Sequence, residues 1–193
     1  RAYLRLAGGD WNAIAGIAGL IAGIGIGVWF LYGGFSLGAA RPTPKAAGLV
    51  MPLLALAILA LLFFKPLFGP EGSGPIFFSA KGPGAAHAPI LISLGAGLVV
   101  GWLAQRTRFC TIGAVRDLIM VRDSHLFKGI AAFILAAFVT NMILGQFKPG
   151  FEGQPVAHTM QLWNFLGMVL SGLAFTLAGG CPGRMLIMSG EGD

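Results

Sequence analysis

Gln161-Leu-Trp-Asn-Phe-Leu-Gly-Met-Val-Leu-Ser-Gly-Leu-Ala-Phe-Thr-Leu-Ala178 is followed at once by Gly179-Gly-Cys-Pro-Gly-Arg184. The first part carries no charge and is long enough for a helix to cross most of a bilayer. The second cannot continue that helix: the glycines free the backbone, and Pro182 lacks an N–H. A helix broken at this depth exposes backbone polar groups. Lipid does not tolerate these, but protein or a water-lined path does. Cys181 sits at the break. The same arrangement stands upstream in Arg106-Thr-Arg-Phe-Cys110-Thr-Ile-Gly, again between a long apolar run and a short one. These are the chain's two cysteines among 193 residues.

Working outward, hydrophobic residues make up 56% and charged residues 10% of the chain. Soluble domains carry about a quarter charged residues, so the bilayer is the expected solvent. The net charge of +6 is scattered between apolar stretches, without the aromatic-interleaved basic face of a nucleic-acid binder. No nucleic-acid partner is expected.

The pattern predicts an all-α integral membrane protein with about five transmembrane helices, plus short broken or re-entrant helices carrying the cysteines. The expected spans are Trp11–Gly34, Ala46–Phe64, Pro89–Ala104, Gly129–Gln146 and Gln161–Ala178. Small residues recur in the first (Gly16, Gly19, Gly23, Gly25, Gly27) at spacings that permit close helix packing. Arg41–Lys45, the proline- and glycine-rich Lys65–Ala88 and Phe147–Met160 read as loops. Phe109–Val121 is too short to span and reads as re-entrant. Asn141 is expected to interrupt the fourth span. Alternating the spans puts eight basic residues on one side and five on the other, which assigns the richer side to the cytoplasm.

The ends of the chain resemble each other. Arg1-Ala-Tyr-Leu-Arg-Leu-Ala-Gly-Gly-Asp10 sets against Arg184-Met-Leu-Ile-Met-Ser-Gly-Glu-Gly-Asp193. An odd number of spans between the copies would place them on opposite faces, as in inverted-repeat transporters. With no methionine at its start, the chain reads as one transmembrane domain over residues 1–193, a fragment or one repeat period of a longer permease.

Candidate site residues follow from the breaks. Cys110 and Cys181 are the reactive groups. Gly180 frees the backbone beside Cys181. Arg108, Arg116 and Arg184 lie close in sequence to the thiols, and arginine near the membrane core is costly and usually functional. Arg116 and Asp117 sit within the short helix, placed to pair with each other or with a neighbour. No metal site is expected, because no Cys-x-x-Cys occurs and His87, His125 and His158 lie in different loops. His158 reads as a loop hydrogen-bonder. No catalytic motif and no cofactor signature is present.

Together, Arg106-Thr-Arg-Phe-Cys-Thr-Ile-Gly-Ala-Val-Arg-Asp117, Gly145-Gln-Phe-Lys-Pro-Gly-Phe-Glu-Gly-Gln-Pro-Val-Ala-His-Thr159, Leu162-Trp-Asn-Phe-Leu-Gly-Met168 and Gly179-Gly-Cys-Pro-Gly-Arg184 resemble the YeeE/YedE family of membrane proteins. The middle and last motifs look most like its YedE-type branch, proposed to move selenium compounds. The resemblance implies an inner-membrane permease for an inorganic sulfur or selenium anion such as thiosulfate, with Cys110 and Cys181 as pathway cysteines. It also implies that the missing part of the permease, or a cytoplasmic sulfur or selenium carrier, is a partner. The rival reading is a membrane thiol oxidoreductase or persulfide carrier using the same two cysteines.

Overall fold

The computed structural model describes residues 2–37, 44–64, 88–154 and 159–191. Arg41, the Lys65–His87 connection, His158, and Arg1, Gly192 and Asp193 of the terminal likeness lie outside the described residues. The regular structure among the described residues is helical: α1 (Ala2–Ala7), α2 (Asn12–Tyr32), α3 (Lys45–Gly48), α4 (Val50–Phe64), α5 (Ile90–Thr107), α6 (Thr111–Met120), α7 (His125–Ile143), α8 (Gln161–Leu177) and α9 (Pro182–Glu191). A parallel bridge pairs Asp10 with Gly150.

Among the described residues, four stretches are long and apolar enough to cross a membrane: Asn12–Tyr32, Ile90–Met120, His125–Ile143 and Gln161–Glu191. Two of these contain a break, one at Cys110 and one at Cys181. The expected second span is shorter than the sequence suggested. The ring of Pro52 clashes with a helical carbonyl four residues back, at Gly48. The chain therefore forms the short α3, turns at Leu49 and restarts as α4. At 1.5 Å per residue, the 15 residues of α4 reach roughly 22 Å, short of a 30 Å hydrocarbon core. Asn141 does not interrupt α7, which runs through it to Ile143.

The chain divides into two compact units, Arg1–Gly38 with Gln105–Leu186, and Ala39–Ala104 with Ile187–Asp193. The second holds α3, α4 and most of α5, apolar helices that bury little against one another. The first holds both cysteines and is built on α2 packed along α8. Gly19, Gly23 and Gly27 lie one turn apart on α2 and are the reason the two helices approach so closely. A Cβ at Gly19 would run into the carbonyl of Phe165, and one at Gly23 into that of Val169. A Cβ at Gly27 would stand 2.7 Å from Cβ of Thr176. From the other side, a Cβ at Gly172 would strike the carbonyl of Leu20. This is the small-residue packing by which helices associate where lipid offers no hydrophobic drive. The outward faces remain apolar, with Trp29, Ile143, Leu135 and Leu170 exposed, as a hydrocarbon solvent requires.

At the N-terminal end of α2, a polar knot fixes α1 and the 147–154 loop. Asp10 is buried, pairs with Arg5 at 2.5 Å and accepts the backbone N–H of Asn12 at 3.0 Å. Asn12, also buried, donates to the carbonyl of Phe151 at 2.7 Å and accepts from Gln161 of α8. Backbone bonds from Lys148 to Gly8 and from Gly150 to Gly9 complete it. Gly9 holds φ +94, and a Cβ there would meet the Lys148 carbonyl at 2.7 Å; that close approach requires glycine.

Gly23→Leu is expected to lower the stability of the detergent-solubilised protein by about 1–3 kcal/mol through overpacking. Gly25→Leu, at a position with open space around it, should leave the melting temperature within error. Thermal unfolding followed by circular dichroism compares them; equal melting temperatures would refute the backbone contact.

Candidate functional site

Both cysteine motifs fold by the same local rule. The long helix ends in a left-handed residue, one residue follows, and the cysteine then opens a ten-residue helix. In α8 the left-handed residue is Gly179, at φ +86, and Gly180 donates back to the Phe175 carbonyl at 3.1 Å, the C-terminal closure that glycine favours. In α5 it is Arg108, at φ +50, a conformation that costs a non-glycine residue roughly 1 kcal/mol or more. Cys110 caps α6: its sulfur accepts the N–H of Gly113 at 3.2 Å, and its carbonyl accepts that of Ala114 at 3.0 Å. Cys181 does the same for α9, accepting the N–H of Arg184 on sulfur at 3.4 Å and that of Met185 on its carbonyl at 3.0 Å. Pro182 takes the first helical position, where its missing N–H costs nothing.

The two breaks meet. The sulfurs of Cys110 and Cys181 lie within hydrogen-bonding distance of each other, and the N–H of Cys181 points at the sulfur of Cys110. Thr111 offers its backbone N–H and its hydroxyl to the sulfur of Cys181. Both cysteines are free thiols, each 8% exposed. They share one cluster with Leu20, Ile24 and Val28 of α2 and with Ile112 and Val115 of α6, and Tyr3, Met168 and Phe175 pack against it. Burial pushes the Tyr3 phenol above its usual range. The N-termini of α6 and α9 both open at the thiols, and helix N-termini attract negative charge.

The other expected site residues fall at different distances from the pair. Gly180 adjoins Cys181, and a Cβ there would stand 3.2 Å from Cε of Met185. Arg184 contributes its backbone N–H to the Cys181 sulfur. Arg116 pairs with Asp117 at 3.0 Å, as the sequence indicated, and also reaches the carbonyl of Gly179 at 3.5 Å, tying one break to the other. Arg108 and Arg106 are exposed; Arg108 shapes the turn into Cys110 through its backbone. The described residues hold no group of three or more His, Cys, Asp or Glu able to grip a metal.

Two features escaped sequence reasoning. Thr111, beside the second cysteine, had no signal except its place directly after Cys110. The Asp10–Asn12–Gln161 knot had one: an Asp directly before an apolar run is a helix-capping signature.

A multi-pass, all-helical membrane protein whose helix breaks converge on a thiol pair is the class these observations define. Residues 106–193, a little under half of the chain, match the Sulphur transport family. Over 100 residues it is 34% identical to a protein named thiosulfate transporter TsuA from Spirochaeta thermophila, a match taking in 50% of this chain and 30% of that protein. A protein of the same name from Escherichia coli is 30% identical over 104 residues, 53% of this chain and 29% of its own length. The matched part of the chain therefore spans under a third of the length of these curated relatives. No solved structure matches the chain.

Cys110→Ala is expected to cost about 1 kcal/mol by orphaning the Gly113 N–H at the start of α6. Cys110→Ser should recover most of that loss, because a hydroxyl oxygen also accepts. Chemical unfolding of the purified variants separates the two; Ala and Ser variants of equal stability would contradict the capping role.

Proposed function

We propose that the chain is part of an integral inner-membrane permease for a sulfur- or selenium-containing inorganic anion, thiosulfate foremost, and that the anion passes by Cys110 and Cys181. The family match over residues 106–193 and the names of the relatives support sulfur-compound transport. The observation that carries the site assignment is the meeting of two thiols, from two helix breaks, at the N-terminal ends of two helices.

The chemistry suits such a cargo. Thiols donate S–H hydrogen bonds weakly and offer soft sulfur contacts. The flanking N–H groups and the two helix ends favour negative charge without a fixed cation that would hold the ion. Weak, adjacent contacts let an ion enter and leave, as conduction requires. Arg116 is matched by Asp117, whereas Arg184, three residues after Cys181, adds positive charge that raises the local anion concentration. In this reading the residues described here supply one portion of the pathway within a single transmembrane domain of a pseudo-symmetric permease. The greater length of the relatives leaves room for the rest.

The adjacency of the thiols also favours a second reading, a thiol oxidoreductase or persulfide carrier in which a Cys110–Cys181 bond forms and breaks in each turnover. The two are separated by the fate of the substrate: a permease delivers the labelled anion unchanged.

Cys181→Ser in the full-length protein, reconstituted in liposomes, is expected to cut uptake of labelled thiosulfate at least tenfold while expression and melting temperature are kept. Unchanged uptake in that variant would defeat the assignment. Parallel assays with selenite and selenide identify the chalcogen.

A further inference from the structure

We infer that Cys110 and Cys181 form an oxidisable pair, a modification site at which a two-electron oxidant of the peroxide class closes a disulfide and shuts the path. The inference starts from placement. Residues far apart in sequence bring two free thiols within hydrogen-bonding distance. Each sulfur terminates a separate helix break, so each is held on a cap rather than on a flexible arm.

The surroundings favour the chemistry. The thiolate is the nucleophile in thiol oxidation, and N–H groups at helix N-termini stabilise it. Here the N–H groups of Arg184 and Thr111 and the Thr111 hydroxyl converge on one sulfur, and those of Gly113 and Cys181 on the other. The reaction balances in two steps. One thiolate attacks an oxygen of hydrogen peroxide, giving a sulfenic acid and releasing one water after protonation. The second thiol attacks that sulfur, forms the sulfur–sulfur bond and expels the oxygen as a second water. Two protons and two electrons leave the thiols, and the peroxide takes up both.

The consequence follows from what each sulfur does in the reduced state. A disulfide removes both S–H donors at once. It also ties the α5–α6 break to the α8–α9 break, so the two can no longer separate around an ion. The shut-off rests on the permease reading above; the cross-link itself does not.

The test uses the full-length protein in liposomes, treated with hydrogen peroxide and then with dithiothreitol. Mass spectrometry should find the tryptic peptide 109–116 linked to the peptide ending at Arg184. Maleimide tagging should lose two thiols, and the melting temperature should rise by several degrees, since the cross-link restricts the unfolded chain. Uptake should fall at least tenfold and return on reduction. Cys110→Ser and Cys181→Ser should each abolish the peptide link and the melting shift, and if either fails to fold, the linked peptide in the wild type still decides the matter. Oxidised protein without the link, or linked protein with full uptake, would overturn the inference. A link that appears on adding thiosulfate without oxidant would also overturn it, in favour of a bond cycled in turnover. If reduced protein shows no uptake at all but the link and the melting shift appear, the permease reading fails and the oxidisable pair stands.

Discussion

The contact between the backbones of α2 and α8 is the constraint on which the site depends. Gly19, Gly23 and Gly172 let carbonyls approach where any side chain would overlap. In lipid no hydrophobic drive brings helices together, so close van der Waals packing carries the association. That packing sets the position of α8, and the end of α8 sets the position of Cys181. The same helix α2 supplies Leu20, Ile24 and Val28, against which the cysteine pair rests. Loosening α2 from α8 would therefore shift the end of α8, and Cys181 with it, relative to α2.

The second organising idea is the use of a thiol as a helix cap. Serine, threonine, aspartate and asparagine are the usual choices, because their oxygens accept strongly. Sulfur accepts more weakly, so a cysteine at that position gives up capping strength. Both breaks make this choice, each with an N–H three residues on. The repetition puts one group to two uses: the thiol that satisfies the helix end is also the group presented at the meeting point. An oxygen cap would hold the helix more strongly but, in the proposed pathway, would offer a harder contact to a sulfur-rich anion.

The match of residues 106–193 to the Sulphur transport family fits this economy. The arginines do not form a cage around the thiols. Arg116 is matched by Asp117 and braces the opposite break through the Gly179 carbonyl, and Arg184 serves the Cys181 sulfur through its backbone. Positive potential at the pair comes largely from oriented peptide groups, which cannot titrate away and bind no counter-ion permanently.

Much of this could be read from the residues in order. The charge-poor composition, the apolar runs and the glycine–cysteine–proline stop determine a helical membrane protein with breaks at Cys110 and Cys181, because bilayer thickness and backbone hydrogen bonding leave few alternatives. The glycine spacing on α2 marked a packing face, and Arg116 beside Asp117 marked an ion pair. Other features were not legible. Pro52 acted on Gly48 and split the expected second span, and Asn141 did not interrupt α7 because a single polar residue removes no backbone hydrogen bond. Above all, the sequence places two cysteines 71 residues apart and carries nothing in its periodicity that pairs them. Their meeting was decided by tertiary packing, because it depends on how α2, α6 and α8 lie against one another, a distance set by side-chain volumes at contacts remote in sequence.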